Sequence, residues 1–406
     1  MPCTADRRVA ASVLMKRFWR WALTGALLVA GGCATSPPPI HLTGDPLVDA
    51  PNAIQNGPPR DRVLWQYRLA AAALRHGQFS EARTALDEAL ARLGGIFNAD
   101  KESRRARGYF TAEAKKTFLG EPYERVMAYY YRGILYWMDG EPDNARACFR
   151  SGAFEDGDTE DRTFASDYVL LDYLDGLATA KLSGDGSDAF KRARAEAKLA
   201  LPPEMNPTNN VLFFIEYGAG PTKFASGQYR EELRFRFGTS PAREAMVRVG
   251  QALAHVGPYD DLNYQASTRG GRVMDHILGN KAVFKSATDT AGNVALIGGL
   301  TTAVVSEDRT TQEVGLGIAA AGLIAKLISA ATTPAADTRC WDNLPLYLSF
   351  ASFPLPPGQH TATVEFLDAN RAPIPGLTKT IAFTVGGDGK DKVIYVSDQS
   401  TTPQSQ

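Results

Sequence analysis

The chain has 406 residues, 44% of them hydrophobic, with 44 Lys and Arg against 45 Asp and Glu and a formal net charge of −1. That length allows two or three domains, and the apolar fraction is ample for buried cores. The even charge balance argues against nucleic acid as a partner, and against electrostatic docking of the whole body on anionic lipid.

From Met15 the order of residues is that of an export signal: Lys16, Arg17 and Arg20, an apolar run over 21–30, Gly31 and Gly32, then Cys33. A run of about ten residues is too short to span a ~30 Å hydrocarbon core as a lasting helix. The small-small-Cys ending resembles the lipobox of bacterial lipoproteins. That resemblance implies cleavage of residues 1–32 as a signal peptide and lipidation of Cys33, with two or three acyl chains giving a stable anchor. Ala34 follows the Cys, with no Asp to act as an inner-membrane retention signal, so the implied address is the periplasmic face of the outer membrane. Losing Arg7, Arg8, Lys16, Arg17, Arg20 and Asp6 with the leader leaves 39 basic and 44 acidic residues. Residues 33–60, opening Ser/Pro-rich, read as a tether.

Residues 61–205 read as a helical repeat domain. Leu64, Tyr67, Ala71 and Leu74, then Ala82, Leu86, Ala89 and Leu93, recur at helical spacing around a turn at Gly77. Gly77 suits a left-handed helix end, and Ser80 can cap the second helix. Residues 124–152 repeat the plan around Gly140, and 166–197 repeat it around Gly184. The pattern resembles the tetratricopeptide repeat. The second copy carries it best, with Tyr129, Gly133, Tyr136, Gly140, Ala145 and Phe149 at the family's spacing. The resemblance implies repeat packing through Gly77, Ala82 and those six residues. It also implies a concave groove that binds a protein segment, with Tyr130, Tyr131 and Arg132 as candidate lining. The departures are Pro142 in place of an aromatic, Leu177 in place of a small residue, and turn glycines 63 and 44 residues apart instead of a tandem ~34. Residues 95–120 are therefore an insertion.

Residues 206–335 read as a mixed α/β middle domain. A buried strand at 211–217 and an alternating strand around Leu233, Phe235 and Phe237 suggest a hairpin. Helices are expected over 241–255 and 274–284. Two Gly/Ala-rich stretches without charge, 290–306 and 314–325, follow; both are shorter than the ~20 residues of a membrane span, so a buried helical hairpin is expected. A membrane-inserting role for 290–330 is the rival reading. Residues 336–400, with strands at 346–352, 361–367, 378–385 and 393–396 between Pro/Gly turns, read as a small antiparallel β-domain, and 401–406 as a tail. The fold class expected is thus α+β.

Three segments, 118–133, 216–223 and 336–345, resemble a family of uncharacterised bacterial lipoproteins with such repeats. This resemblance brings no assigned activity; it implies an envelope role beside other lipoproteins or the machinery of wall synthesis and export.

The search for chemistry yields little. Gly315-Leu-Gly-Ile-Ala-Ala320 has the spacing of a relaxed dinucleotide fingerprint but no leading strand. Asp156, Asp158 and Glu160 alternate like a calcium loop, yet Asp161 stands where the loop needs Gly. The five histidines, His41, His76, His255, His276 and His360, show no metal-ligand spacing. No Gly-x-Ser-x-Gly is present. Glu121 and Glu124, at a helix start beside tyrosines, are the best acid/base pair and give the alternative reading of a cell-wall or glycan-acting enzyme. Cys148 and Cys340 could pair in an oxidising compartment, but they fall in different expected domains, so two buried free thiols are expected. The leading expectation is a non-enzymatic, lipid-anchored periplasmic scaffold that binds envelope proteins, with no metal, cofactor or nucleic acid.

Overall fold

A computed structural model describes residues 41–97, 117–157, 167–228, 230–268 and 336–401. The leader with Cys33, most of the 95–120 insertion, the acidic loop beyond Asp156, the expected helix at 274–284 and both Gly/Ala-rich stretches lie outside the described residues.

The expected tether holds a helix, α1 (Pro46–Asn56). Asp45 caps it by accepting the Leu47 N–H at 2.9 Å, and Pro46 occupies the first turn, where its missing N–H costs nothing. Ala50 and Ala53 bury its inner face. The Asp49 carboxylate accepts Thr43 N–H and Gly44 N–H, at 2.8 and 2.9 Å, and so fixes the incoming chain.

Three helix pairs follow: α2 (Arg62–Arg75) with α3 (Phe79–Phe97), α4 (Pro122–Met138) with α5 (Pro142–Asp156), and α6 (Val169–Lys181) with α7 (Ser187–Glu196). Gly77 and Gly140 close α2 and α4 at φ of +69° and +78°, a conformation that is cheap only for glycine. Ser80 falls inside α3, which begins at Phe79. Within the second pair the helices touch at Gly133: a Cβ there would lie 2.5 Å from the Phe149 ring. In the third pair Leu177 is buried in the core, and the close approach comes one residue earlier. A Cβ on Gly176 would stand 2.9 Å from the Gly186 carbonyl oxygen.

The strands between 206 and 268 are β1 (Val211–Tyr217), β2 (Thr222–Ser226), β3 (Glu232–Arg236), β4 (Glu244–Val249), β5 (Ala252–Val256) and β6 (Asp260–Asp261), followed by the short helix α8 (Leu262–Ser267). The last four strands are β7 (Tyr347–Phe353), β8 (Gly358–Leu367), β9 (Lys379–Val385) and β10 (Lys392–Ser397). One sheet runs β10-β1-β7-β6, the other β5-β4-β8-β9, and β2 pairs with β3 alone.

This arrangement corrects four expectations. The 211–217 strand does not form a hairpin with 233–237; it lies between β10 and β7, and β3 pairs with β2. The segment 241–255, expected as helix, holds β4 and most of β5, an antiparallel pair. Its Val247, Val249 and Ala245 alternate inward, a period-two signal that the helical reading passed over. The C-terminal strands are not a separate antiparallel domain: β10 runs parallel to β1, and β8 pairs with β4. The boundary at 335/336 therefore falls inside two shared sheets, and the described residues from Leu42 onward belong to one compact unit.

Two cores result. Alternate residues of the first sheet, Leu212, Phe214, Leu348, Phe350, Val393 and Tyr395, pack on the helices. The intervening Val211, Phe213, Ile215, Ile394 and Val396 face the second sheet. Strand β1 is buried along its whole length because both faces are covered. Helices α2, α4 and α6 lie between this sheet and α3, α5 and α7, which keep one exposed face each. Among the described residues no helix is long and apolar enough to cross a membrane.

Candidate functional site

Segments 118–133, 216–223 and 336–345 meet at the junction of helices and sheet. Pro122 starts α4, and the Glu124 side chain turns back to accept the Glu121 N–H at 2.6 Å. The same oxygen accepts a hydrogen bond from Lys223 Nζ at 2.5 Å, and the other oxygen accepts the Trp341 N–H at 2.7 Å. Glu124 is fully buried, and the Lys223 side chain is 2% exposed. Lys223 also donates to the Arg339 carbonyl at 3.1 Å and lies 5.4 Å from the Phe118 ring centroid. Around this pair Trp341 stacks on Tyr67 at 4.3 Å, with Tyr131 edge-on at 5.9 Å. Arg339 clamps the rim through Asp337 and Asp61, both at 2.6 Å.

A second buried cluster lies along α2 and β1. The Arg75 guanidinium donates to Glu216 Oε1 at 2.8 Å, and the Tyr131 hydroxyl donates to Glu216 Oε2 at 2.6 Å. Arg75 also reaches Gln399 at 3.1 Å, so it ties α2 to the residues beyond β10 as well as to β1. Burial, then the neighbouring Glu216 charge, pushes the Tyr131 hydroxyl well above the usual tyrosine range. It therefore stays a donor at every physiological pH.

These contacts correct the groove assignment. Tyr130 is 3% exposed and packs against Phe214 and Phe149; Tyr131 is fully buried. Arg132 pairs with Asp87 at 2.6 Å and lies over the Tyr136 ring at 3.5 Å. The face that would have lined a groove is covered by the chain's own first sheet. The repeat-packing residues fare differently: Ala82, Ala145 and Phe149 are fully buried, and Tyr136 is partly so. Tyr129 stands beside Gly152, where an added Cβ would meet its Cβ at 3.5 Å.

The Glu121/Glu124 pair is likewise placed for architecture. Both Glu124 oxygens are taken by Lys223 and two backbone N–H groups, and its zero exposure leaves no approach for a glycan oxygen in this arrangement. Cys340 lies 3.8 Å from the Tyr123 hydroxyl; burial first, then Glu124, push its thiol up to about 12. Burial pushes Cys148 up to about 11. Both are free and buried, as expected from their separation in the chain. Among the described residues no group of three or more His, Cys, Asp or Glu could hold a metal ion.

One further carboxyl joins the layers. Asp260 on β6 accepts the Val169 and Leu170 N–H groups at 2.8 and 3.0 Å, and so caps α6 from the sheet. Burial raises it to about 7 against those two hydrogen bonds, with Asp167 adding to the rise and Lys198 opposing it. A cleft of about 360 Å³ opens where the 140–142 turn, the end of α6 and the 389–391 turn meet. The polar groups at its floor serve one another: Asp391 accepts from Trp137 at 2.8 Å and from Lys181 at 2.7 Å.

Lys223, Arg75, Glu216, Arg339 and Asp260 were not singled out from the sequence. A signal existed for two of them: Glu216 is the one charge in an otherwise apolar strand, and Arg75 ends a run of alanines and leucines. Such charges remain buried only when paired. Compared with protein-family models, curated proteins and solved structures, the chain matches none.

Proposed function

We propose that this chain is a lipid-anchored adaptor on the periplasmic face of the outer membrane, acylated at Cys33 and binding envelope proteins through its helical layer. The helix pairs are read as tetratricopeptide-like; the left-handed Gly77 and Gly140 and the Gly133–Phe149 contact support that reading. The observation that carries the functional reading is where the charged chemistry goes. Glu124, Lys223, Glu216 and Arg75 are each 5% exposed or less and bind one another across the helix–sheet junction. Charges spent in this way weld two layers into one rigid body, as suits a presenting platform.

With the inner face covered, partner contact passes to the outer helices. Phe154, in the last turn of α5, is 82% exposed, with Arg150 and Ala147 one and two turns back on the same helix, both exposed. A photo-crosslinking residue at 147, 150 or 154, introduced in intact cells, should trap a defined envelope protein, and one at Tyr130 should trap none. Blank results from all three outer positions in correctly localised protein would remove the adaptor reading.

A further inference from the structure

The buried ion pairs Arg75–Glu216 and Arg125–Glu155 both use a guanidinium. That cation suits permanent burial, because it keeps its proton and is no nucleophile. Lys223–Glu124 is more enclosed, at 2% and 0% side-chain exposure, and uses a primary amine instead. A lysine held among apolar groups is a common form of amine nucleophile in proteins.

The groups around this pair are those that an amide condensation needs. Lys223 Nζ lies 2.5 Å from Glu124 Oε2, and the Phe118 and Tyr123 ring centroids are 5.4 and 6.0 Å from it. Glu124 Oε1 accepts the Trp341 N–H at 2.7 Å, so negative charge developing on that oxygen meets a donor already in place. Oε2 accepts the Glu121 N–H at 2.6 Å. A second carboxylate oxygen, Glu121 Oε1, stands 3.9 Å from Nζ, and its side chain is 20% exposed, so it joins the buried pair to solvent. The Lys181 ammonium differs: it donates to Asp391 and to the Pro207 and Asn209 carbonyls, at 2.7, 3.0 and 2.7 Å, a set that holds it as a cation.

We propose that Lys223 and Glu124 condense in the folded chain to an isopeptide bond. A proton passes from Nζ to Oε2, giving an amine and a carboxylic acid. Nζ attacks Cδ, and Oε1 takes up negative charge against the Trp341 N–H. Glu121 removes a second proton from Nζ and delivers it to Oε2. The Nζ–Cδ bond forms, the Cδ–Oε2 bond breaks, and Oε2 leaves as one water with two of the three ammonium hydrogens. No oxidant or cofactor is consumed, and the net charge of the chain is unchanged. The fixed contact supplies the effective concentration that a free amine and acid lack. The bond ties α4 to β2 across 99 residues. Chain of full mass keeps the ion pair and its energetics. The inference depends on neither the anchorage nor the adaptor reading.

The test is the intact mass of the mature chain from residue 33, made without export so that no acyl group is attached, and kept folded in neutral buffer for days. The parent should lose the mass of one water, and digestion should yield a branched peptide joining Lys223 to Glu124. Lys223→Arg keeps the cation without a nucleophilic amine and should stay at full mass. Glu121→Gln keeps an acceptor for the helix cap and should lose water more slowly, by roughly tenfold or more, the scale of a missing proton carrier. Circular dichroism should show both variants folded. A parent that stays at full mass overturns the proposal. So does a loss that persists in Lys223→Arg, since a succinimide at a step such as Asp388-Gly389 also releases water. A rate unchanged in Glu121→Gln overturns the proton route.

Discussion

Lys223→Met keeps the side-chain length and removes the ammonium from the most enclosed ion pair at the junction. Glu124 then remains at zero exposure with two backbone donors, Glu121 N–H at 2.6 Å and Trp341 N–H at 2.7 Å. Deleting one partner of a buried pair costs about 3–5 kcal/mol, whereas an exposed pair is worth ~1 kcal/mol or less. The thioether would sit near the Phe118 and Tyr123 rings, whose centroids lie 5.4 and 6.0 Å from the present ammonium, and sulfur–aromatic contact returns about 0.3–1.5 kcal/mol. The net expectation is a loss of about 2–4 kcal/mol. Glu124→Gln strands Lys223 and turns one amide N–H₂ toward a donor, for a loss of about 2–3 kcal/mol. In the double variant both charges are gone, so its loss should fall short of the summed single losses by ~2 kcal/mol or more. Urea unfolding followed by circular dichroism, on the unacylated mature chain and its three variants, measures this cycle. A loss below ~1 kcal/mol for Lys223→Met, or strict additivity, would show that the pair is not the weld described above.

Gly133→Ala should destabilise by about 1–2 kcal/mol: the clash at 2.5 Å with the buried Phe149 ring costs more than the ~1 kcal/mol that Ala gains in helix propensity, and a stabilised variant in the same assay would contradict the close contact. Asp260 titrates at about 7 when folded and near ~4 when unfolded, so the folded state holds the extra proton between those values and stability falls as pH rises through that window. Asp260→Asn should flatten the decline between pH ~4 and ~7, by a few kcal/mol at most, and an unchanged slope would refute the assignment. Cys340, pushed up to about 12, and Cys148, pushed up to about 11, should resist iodoacetamide in the native chain and react after unfolding; rapid native labelling would contradict their burial.

Local signals made much of the helical half legible. Turn glycines and apolar spacing located three helix pairs, because neighbouring residues dictate those features, whereas Ser80, expected as a cap, lies inside its helix. Helix α1 was passed over although Asp45-Pro46 is a start signal, because the Ser/Pro-rich opening of the tether dominated the reading. Strand pairing was less legible. Each C-terminal strand was readable, but nothing local says that β10 pairs with β1, some 180 residues earlier, or that β8 pairs with β4. That same pairing hid the fate of Tyr130 and Tyr131: a helical stack alone leaves them open, and the sheet closes over them. Glu124 was noticed as an acid, but its partner Lys223 lies 99 residues away, and only the fold brings them together.

The most direct test of the proposed membrane-tethered platform is metabolic labelling with palmitate in a bacterium made to express the chain. The wild-type chain should carry label after residues 1–32 are removed, and Cys33→Ser should carry none. Unlabelled wild-type protein, or label that persists in Cys33→Ser, would contradict the anchorage on which the proposed envelope role depends.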